Sequence, residues 1–242
     1  KEFLLSLCLL FLAGILLAGC GALNPFSGGE EPETAQELFS AGQSAMDQEN
    51  YSDAEEYFQR VREDYPFSPY TSKAELSLAD AYFRQEKYAA AVTAYREFES
   101  MYPGNPAIPR VLFRIGRANM AQFESIDQNT KELHQAIDAF TRLTQVHPDS
   151  EYAGRAEELI SECRRKLAEH EIYVADFYMR IERYQSSWLR YSFVEENFPE
   201  LREISDYASK RAKRAYFRYL LQTSESVRVE NRGSWKQWFN WL

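Results

Sequence analysis

A chain of 242 residues holds one large domain or two small ones, and an apolar share of 45% is enough to build a core. Its formal net charge of -9 excludes it from the basic proteins that grip nucleic acid without regard to sequence, which need clustered cations to displace counterions from phosphates. The charge is uneven: Arg155–Leu242 carries 16 Lys+Arg against 14 Asp+Glu, while the remainder carries 12 against 23.

The N-terminus reads first. Lys1 precedes an apolar run, Phe3 to Leu17, broken only by Ser6. Without an initiator Met, the chain is expected to lack its first residues. The run suits a signal-peptide core and is short for a spanning helix, which needs about 20 residues. It ends in Leu17-Ala18-Gly19-Cys20, which resembles the lipobox of bacterial lipoproteins. Small residues at Ala18 and Gly19 let the backbone enter a protease cleft. The Cys20 thiol then carries a diacylglyceryl thioether, and cleavage frees its amine for acylation. One acyl chain binds a bilayer marginally, whereas two or three hold it. By the lipoprotein sorting rule, Gly21 in place of Asp implies the outer membrane. The reading is therefore a signal peptide over 1–19 and a flexible tether over 20–33, rich in Gly, Ser and Pro. With Cys8 removed and Cys20 lipidated, only Cys163 remains, so the mature chain forms no internal disulfide. Cys163 lies on an apolar helical stripe with Leu159, Ile160 and Leu167, as a packing residue does.

Beyond Thr34 the pattern is helical, and it repeats. A small residue (Ala54, Ala91, Ala136, Ser187) precedes an aromatic by four (Phe58, Tyr95, Phe140, Tyr191). Proline follows eight residues later (Pro66, Pro103, Pro148, Pro199). This is the second-helix pattern of a tetratricopeptide repeat: the small residue admits a neighbouring helix, the ring fills the groove, and proline ends the helix. Gly42, Ala79, Gly116 and Ala175 take the small crossing position of the first helices. Successive prolines are 37, 45 and 51 residues apart, against about 34 in the ideal repeat. An insertion around Glu124 to Glu132 and an extra helix over Tyr152 to Leu167 account for the excess. A fifth pair is expected from Glu203 to Leu221 and from Thr223 to the end. The fold class is all-α: a tetratricopeptide-repeat α-solenoid of about five helix pairs, with an extra helix before the fourth. Its parts are repeats 1–3 over 34–148 and repeats 4–5 with a Trp-rich tail over 149–242.

No catalytic pattern appears. His134, His147 and His170 lack metal-ligand spacing, and His170-Glu171 lacks the second His of a zinc protease helix. Phosphate loops and nucleophile elbows are also missing. The reading is no enzyme, no metal and no cofactor beyond the lipid on Cys20. What remains is binding surface. The repeat register puts Gln36, Phe39, Gln43, Met46, Leu76, Asp80, Phe83, Phe113 and Arg117 on the concave face of the first three units. That face could take an extended peptide with alternating aromatics, or adjacent repeats could cover it. Trp235, Trp238, Phe239 and Leu242 share one helical face, fit to cap the last repeat, dock on a partner or sit at a lipid interface.

The lipobox, the Pro-ended repeats and the stretch Leu167-Ala168-Glu169-His170-Glu171-Ile172-Tyr173-Val174-Ala175-Asp176-Phe177-Tyr178 together resemble the BamD family, lipoproteins of the β-barrel assembly machinery. The resemblance covers roughly Leu17 to Leu221, and the Trp-rich tail departs from it. It implies five repeats and no catalysis, on the periplasmic face of the outer membrane of a Gram-negative cell. It implies partners: BamA and other assembly subunits meeting the C-terminal repeats, and unfolded outer-membrane proteins meeting the N-terminal ones. Arg190 stands where the family carries an arginine, to pair either with a carboxylate of BamA or with Glu195 or Glu196 beside it. The rival reading is another periplasmic repeat lipoprotein that organises cell-envelope complexes. Intact-mass spectrometry of membrane-extracted protein is expected to find a diacylglyceryl thioether and an acylated amine on Cys20; a free thiol there would remove the anchor.

Overall fold

The computed structural model describes residues 34–239, with side chains as far as Arg228. The signal peptide over 1–19 and the tether over 20–33 lie outside the described residues, as do the side chains of the Trp-rich tail. Nine helices follow one another among the described residues, and no strand does. They are α1 (Ala35–Asp47), α2 (Tyr51–Asp64), α3 (Thr71–Arg84), α4 (Tyr88–Met101), α5 (Ile108–Ala121), α6 (Lys131–Val146), α7 (Ala153–Arg180), α8 (Tyr184–Asn197) and α9 (Arg202–Phe239). Each packs on the next in line, so the chain is an all-α tetratricopeptide-repeat solenoid.

Punctuation is local and recurrent. Tyr65, Tyr102, His147 and Phe198 each cap a second helix with φ between -128° and -132° and ψ between 48° and 58°, outside the helical region that a following proline disfavours. Three of the following turns are built alike. The backbone N–H of Ser68, Asn105 and Ser150 returns to the carbonyl of Tyr65, Tyr102 and His147. The Ser68, Asn105 and Ser150 side chains then accept from the N–H two residues on, at 3.2, 2.9 and 3.1 Å. Within units 1, 2 and 4, Glu49, Glu86 and Glu182 turn the chain at φ 59°, 60° and 60°, a left-handed conformation taken without glycine. Unit 3 replaces this turn with the connection 122–130, where the insertion was expected. α1 starts with a full capping box: Thr34 accepts from the Glu37 N–H at 3.2 Å, and Glu37 reaches back to the Thr34 N–H at 3.0 Å.

Packing explains the small residues. A Cβ at Gly42 would stand 2.5 Å from the Phe58 ring, and one at Gly116 would collide with Phe140 in the same way. Phe58 and Phe140 are themselves fully buried. Ala79 and Ala175 hold the equivalent places in units 2 and 4, where the buried rings are Tyr95 and Tyr191.

Two elements differ from the sequence expectation. The extra helix and the first helix of unit 4 are one uninterrupted helix, α7, of 28 residues. Arg164-Arg165-Lys166-Leu167-Ala168-Glu169 contains only good helix formers, so nothing stops it. The expected fifth pair is likewise one helix, α9, of 38 residues. Thr223, Ser224 and Ser226 stand where a turn was expected. Their hydroxyls instead bond back to the carbonyls of Tyr219, Leu221 and Thr223, at 3.0, 2.9 and 2.8 Å, and the helix runs on. Among the side chains described, Ala215 is the last buried one of α9.

Adding a methyl group at either glycine therefore overpacks a rigid contact, costing about 1–3 kcal/mol before a helix-propensity gain of about 1 kcal/mol. Gly42→Ala and Gly116→Ala are each expected to lower the urea unfolding free energy by about 1–2 kcal/mol. Unchanged or higher stability in both would refute the tight fit.

Candidate partner-binding surfaces

The face formed by the first helices α1, α3 and α5 carries the residues expected to bind an extended segment. Phe39 packs on Phe58 and Tyr70 with centroids 5.8 and 5.7 Å apart, and Phe113 packs on Phe140 and Tyr152 at 5.9 and 5.3 Å. Phe83 meets Tyr88 edge-on at 5.6 Å and lies under the Arg114 guanidinium at 4.8 Å. All three rings are half-buried, as are Met46 and Leu76. They join one unit to the next while leaving an edge accessible. The polar members behave likewise. Gln43 donates to Ser77 Oγ at 3.0 Å, tying α1 to α3. Asp80 accepts from the Tyr95 hydroxyl at 2.5 Å and from Arg110 at 2.7 Å, tying α3 to α4 and α5. Burial first, and the Asp80 charge next, hold the Tyr95 phenol far above its ordinary ionisation range, so it stays a donor. Gln36 and Arg117 are exposed.

Unit 4 repeats the Asp80 arrangement. The Tyr191 hydroxyl donates to Asp176, and Arg211 from α9 donates to the same carboxylate at 2.7 Å. The Arg211 guanidinium also lies 5.9 Å from the Tyr191 centroid and 5.4 Å from that of Tyr207. In units 1 and 3 the paired ring is phenylalanine, and the carboxylate position holds Gln43 or Arg117.

Arg190 makes neither of the in-chain contacts expected of it. Its guanidinium pairs across α7 and α8 with Glu171 at 2.6 Å, not with Glu195 or Glu196 on its own helix. Glu171 is the shielded member, with its side chain 18% exposed against 43% for Arg190. A surface cleft of about 400 Å³ opens beside the pair, lined by Glu171, Tyr178, Ser186, Leu189, Arg190 and Phe193. Leu189 and Phe193, which line it, are exposed, as is Phe177, which meets Tyr178 of its wall edge-on at 5.8 Å. The sequence reading missed this patch. Its signal was present: Leu189 and Phe193 recur at a four-residue interval off the stripe of Ser187, Tyr191 and Val194 that makes the core.

Nothing in these clefts resembles a reactive centre. The Cys163 thiol is pushed up to about 12 by burial, then by Glu162, so it is not a thiolate at neutral pH. His170 donates from Nδ1 to the Ile126 carbonyl at 2.6 Å, pinning the connection 122–130 onto α7. Among the described residues no group of three or more His, Cys, Asp or Glu could hold a metal ion. No described helix is long and apolar enough to cross a membrane.

Comparison with known proteins gives the family. The YfiO model, described as an outer membrane lipoprotein, matches residues 31–225. The outer membrane protein assembly factor BamD of Xylella fastidiosa strain 9a5c is 24% identical over 96% of this chain and 86% of its own length. BamD of Vibrio cholerae is 26% identical over 78% of this chain and 81% of its own. A solved tetratricopeptide repeat protein from Parabacteroides merdae overlays 81% of this chain and 78% of its own at TM-score 0.42 and 14% identity.

The Asp176 cluster separates two kinds of loss. Tyr191→Phe removes one hydrogen bond and leaves the Asp176–Arg211 pair, with an expected cost of about 1 kcal/mol. Asp176→Ala strands both a buried hydroxyl and a cation, for about 3 kcal/mol. Urea unfolding checks the ranking, and equal costs would mean that the carboxylate organises nothing.

Proposed function

The chain belongs to the YfiO family of outer membrane lipoproteins, the family of the BamD assembly factors, and from that premise we propose that it is a non-catalytic scaffold and receptor for folding and inserting outer-membrane proteins. In this reading, acyl chains on Cys20 hold the chain at the periplasmic face of the outer membrane. The C-terminal units bind BamA, and the N-terminal units bind targeting segments of unfolded barrel proteins.

The observation that carries the reading is the cleft between α7 and α8 at the Arg190–Glu171 pair, with exposed Leu189 and Phe193 in its wall. An exposed apolar site of this kind marks an interaction surface. Its centre combines rings, an aliphatic side chain and an arginine, the residues that dominate interface energies. Arg190 is held in a fixed pose yet stays accessible, so a carboxylate of BamA can approach it without first ordering the side chain. The first-helix face supports the second role. Phe39, Phe83 and Phe113 stay partly exposed beside the half-buried Gln43 and Asp80 and the exposed Arg117, a layout suited to an extended, aromatic-bearing segment.

Charge reversal tests the BamA contact. Arg190→Glu is expected to reduce co-purification of BamA about tenfold or more, because a desolvated charge pair becomes a repulsion. Glu171→Gln, which breaks the in-chain pair but keeps the cation, should retain it. Unchanged recovery of BamA with Arg190→Glu would end the reading of this contact. Photocrosslinkers at positions 39, 83 and 113 should capture a barrel protein's C-terminal strand, and capture only from units 4 and 5 would move the receptor face.

A further inference from the structure

α9 has two faces, and the fold uses one. Ala208, Ala212, Ala215 and the half-buried Tyr219 follow one stripe against α8. Trp188 of α8 seals that seam, 4.8 Å from Tyr216 and 6.4 Å from Tyr219. More than a third of a turn away, Phe217, Leu220, Leu221 and Val227 are exposed, with the outer edge of Tyr216. At about 100° per residue these five fall within roughly 140° of the helix circumference. Exposed Arg214 and Arg218 line one edge of this second stripe, and exposed Lys210 and Arg228 stand at its two ends. Lys210, Lys213, Arg214 and Arg218 make no ion pair among the described residues.

The charge is out of character for the chain. From Lys210 to the end there are eight Lys+Arg and two Asp+Glu, in a protein whose formal net charge is -9. The sequence also repeats itself at 18 residues, which is five helical turns. Arg214, Phe217, Arg218, Leu220 and Leu221 recur as Arg232, Trp235, Lys236, Trp238 and Phe239. The helical backbone continues to Phe239, roughly 35 Å beyond Tyr216 at the α-helical rise.

We propose that the outer face of α9 is an in-plane membrane-binding surface for anionic phospholipid bilayers, separate from the acyl anchor. A basic amphipathic helix with interfacial aromatics buries its apolar stripe at the acyl boundary while its cations meet lipid phosphates. Arginine and lysine stems extend along the apolar surface and bring their charges to headgroup level. Charge complementarity selects this occupant. A second copy packed through α9 would set this cationic edge against another like it, whereas an anionic bilayer neutralises the whole edge at once. An outer membrane lipoprotein has such a surface beside it. Lying flat, α9 fixes the orientation of units 4 and 5 against the bilayer, which acyl chains on a single residue do not.

The test uses the chain from residue 20 with Cys20→Ser, which carries no acyl group. It is expected to co-sediment with vesicles of phosphatidylethanolamine and phosphatidylglycerol, with a blue shift in tryptophan emission, and not with phosphatidylcholine vesicles. High salt should weaken binding. Arg214→Glu/Arg218→Glu should reduce it about tenfold or more, and Leu220→Glu/Leu221→Glu should abolish it, with unchanged helicity and unfolding. No binding, equal binding to both vesicle types, or binding indifferent to both double variants would overturn the proposal. A dimer in light scattering that Leu220→Glu/Leu221→Glu dissolves would overturn it in favour of a second copy.

Discussion

A benzene ring pressed against a neighbouring helix at a residue with little or no side chain sets the spacing of every helix pair in the first four units, and the choice of ring spreads outward from there. Where the crossing residue is Gly42 or Gly116, the ring is Phe58 or Phe140 and brings no hydroxyl into the seam. Where it is Ala79 or Ala175, the ring is Tyr95 or Tyr191, and a buried hydroxyl needs an acceptor. Asp80 and Asp176 supply it, one residue after the alanine. A half-buried carboxylate in turn needs a cation, and the following helix provides Arg110 or Arg211. A choice made inside a unit thus decides how that unit is tied to the next. Units 2 and 4 hold their successors through charge. The seam between units 1 and 2 is held by Gln43 on Ser77 and by Lys87 and Gln85 on Glu55, at 3.0, 2.8 and 2.7 Å. Burial opposes ionisation of Glu55, but its bonds to Lys87 and Gln85 prevail and hold the carboxyl below its ordinary range.

Those bonds explain what the sequence discloses and what it withholds. The small–aromatic–proline phasing is legible because each member acts locally: proline lacks an N–H, the residue before it is kept out of the helical region, and a ring needs a gap of fixed size. The turns at Glu49, Glu86 and Glu182 are not legible, since a left-handed residue normally announces itself as glycine or asparagine and here does not. The continuity of α7 and α9 was hidden for the opposite reason. The repeat length suggested breaks, but the residues at the expected breaks carry none of the chemistry that stops a helix. Arg190 shows the limit most plainly. Its place on the second helix of unit 4 is readable from register, whereas its partner Glu171 lies 19 residues away on another helix and is fixed only by how α7 meets α8.

The first-helix face and the C-terminal units use their aromatics differently. Phe39, Phe83 and Phe113 each touch another ring, and each is only partly available to a ligand. Phe177 and Leu189 are 46% and 54% exposed, and Phe193 is 44% exposed. A solenoid buries apolar surface between consecutive units, so its interior units have little to spare. Exposure collects where the stacking ends or where a helix outgrows its neighbour. α8 has 14 residues and α9 has 38, so α8 cannot cover the whole of α9.

The same arithmetic divides the stretch from Leu167 to Tyr178, whose specificity carried the family resemblance. Leu167, Ala168 and Ala175 are buried, and the Ala175 carbonyl accepts from Ser187 at 2.9 Å. His170, Glu171 and Asp176 hold the connection 122–130, α8 and α9 respectively. These residues are distinctive because one helix must satisfy three neighbours at once, and each tie needs a particular donor or acceptor at a particular register. A distinctive motif is therefore not in itself a recognition motif. Tyr173 and Phe177 are the exposed rings of the stretch, one turn apart and on the same side of α7. The scaffold needs neither of them for its own ties among the described residues beyond the contact of Phe177 with Tyr178, so the stretch mixes residues that hold the stack with residues that do not.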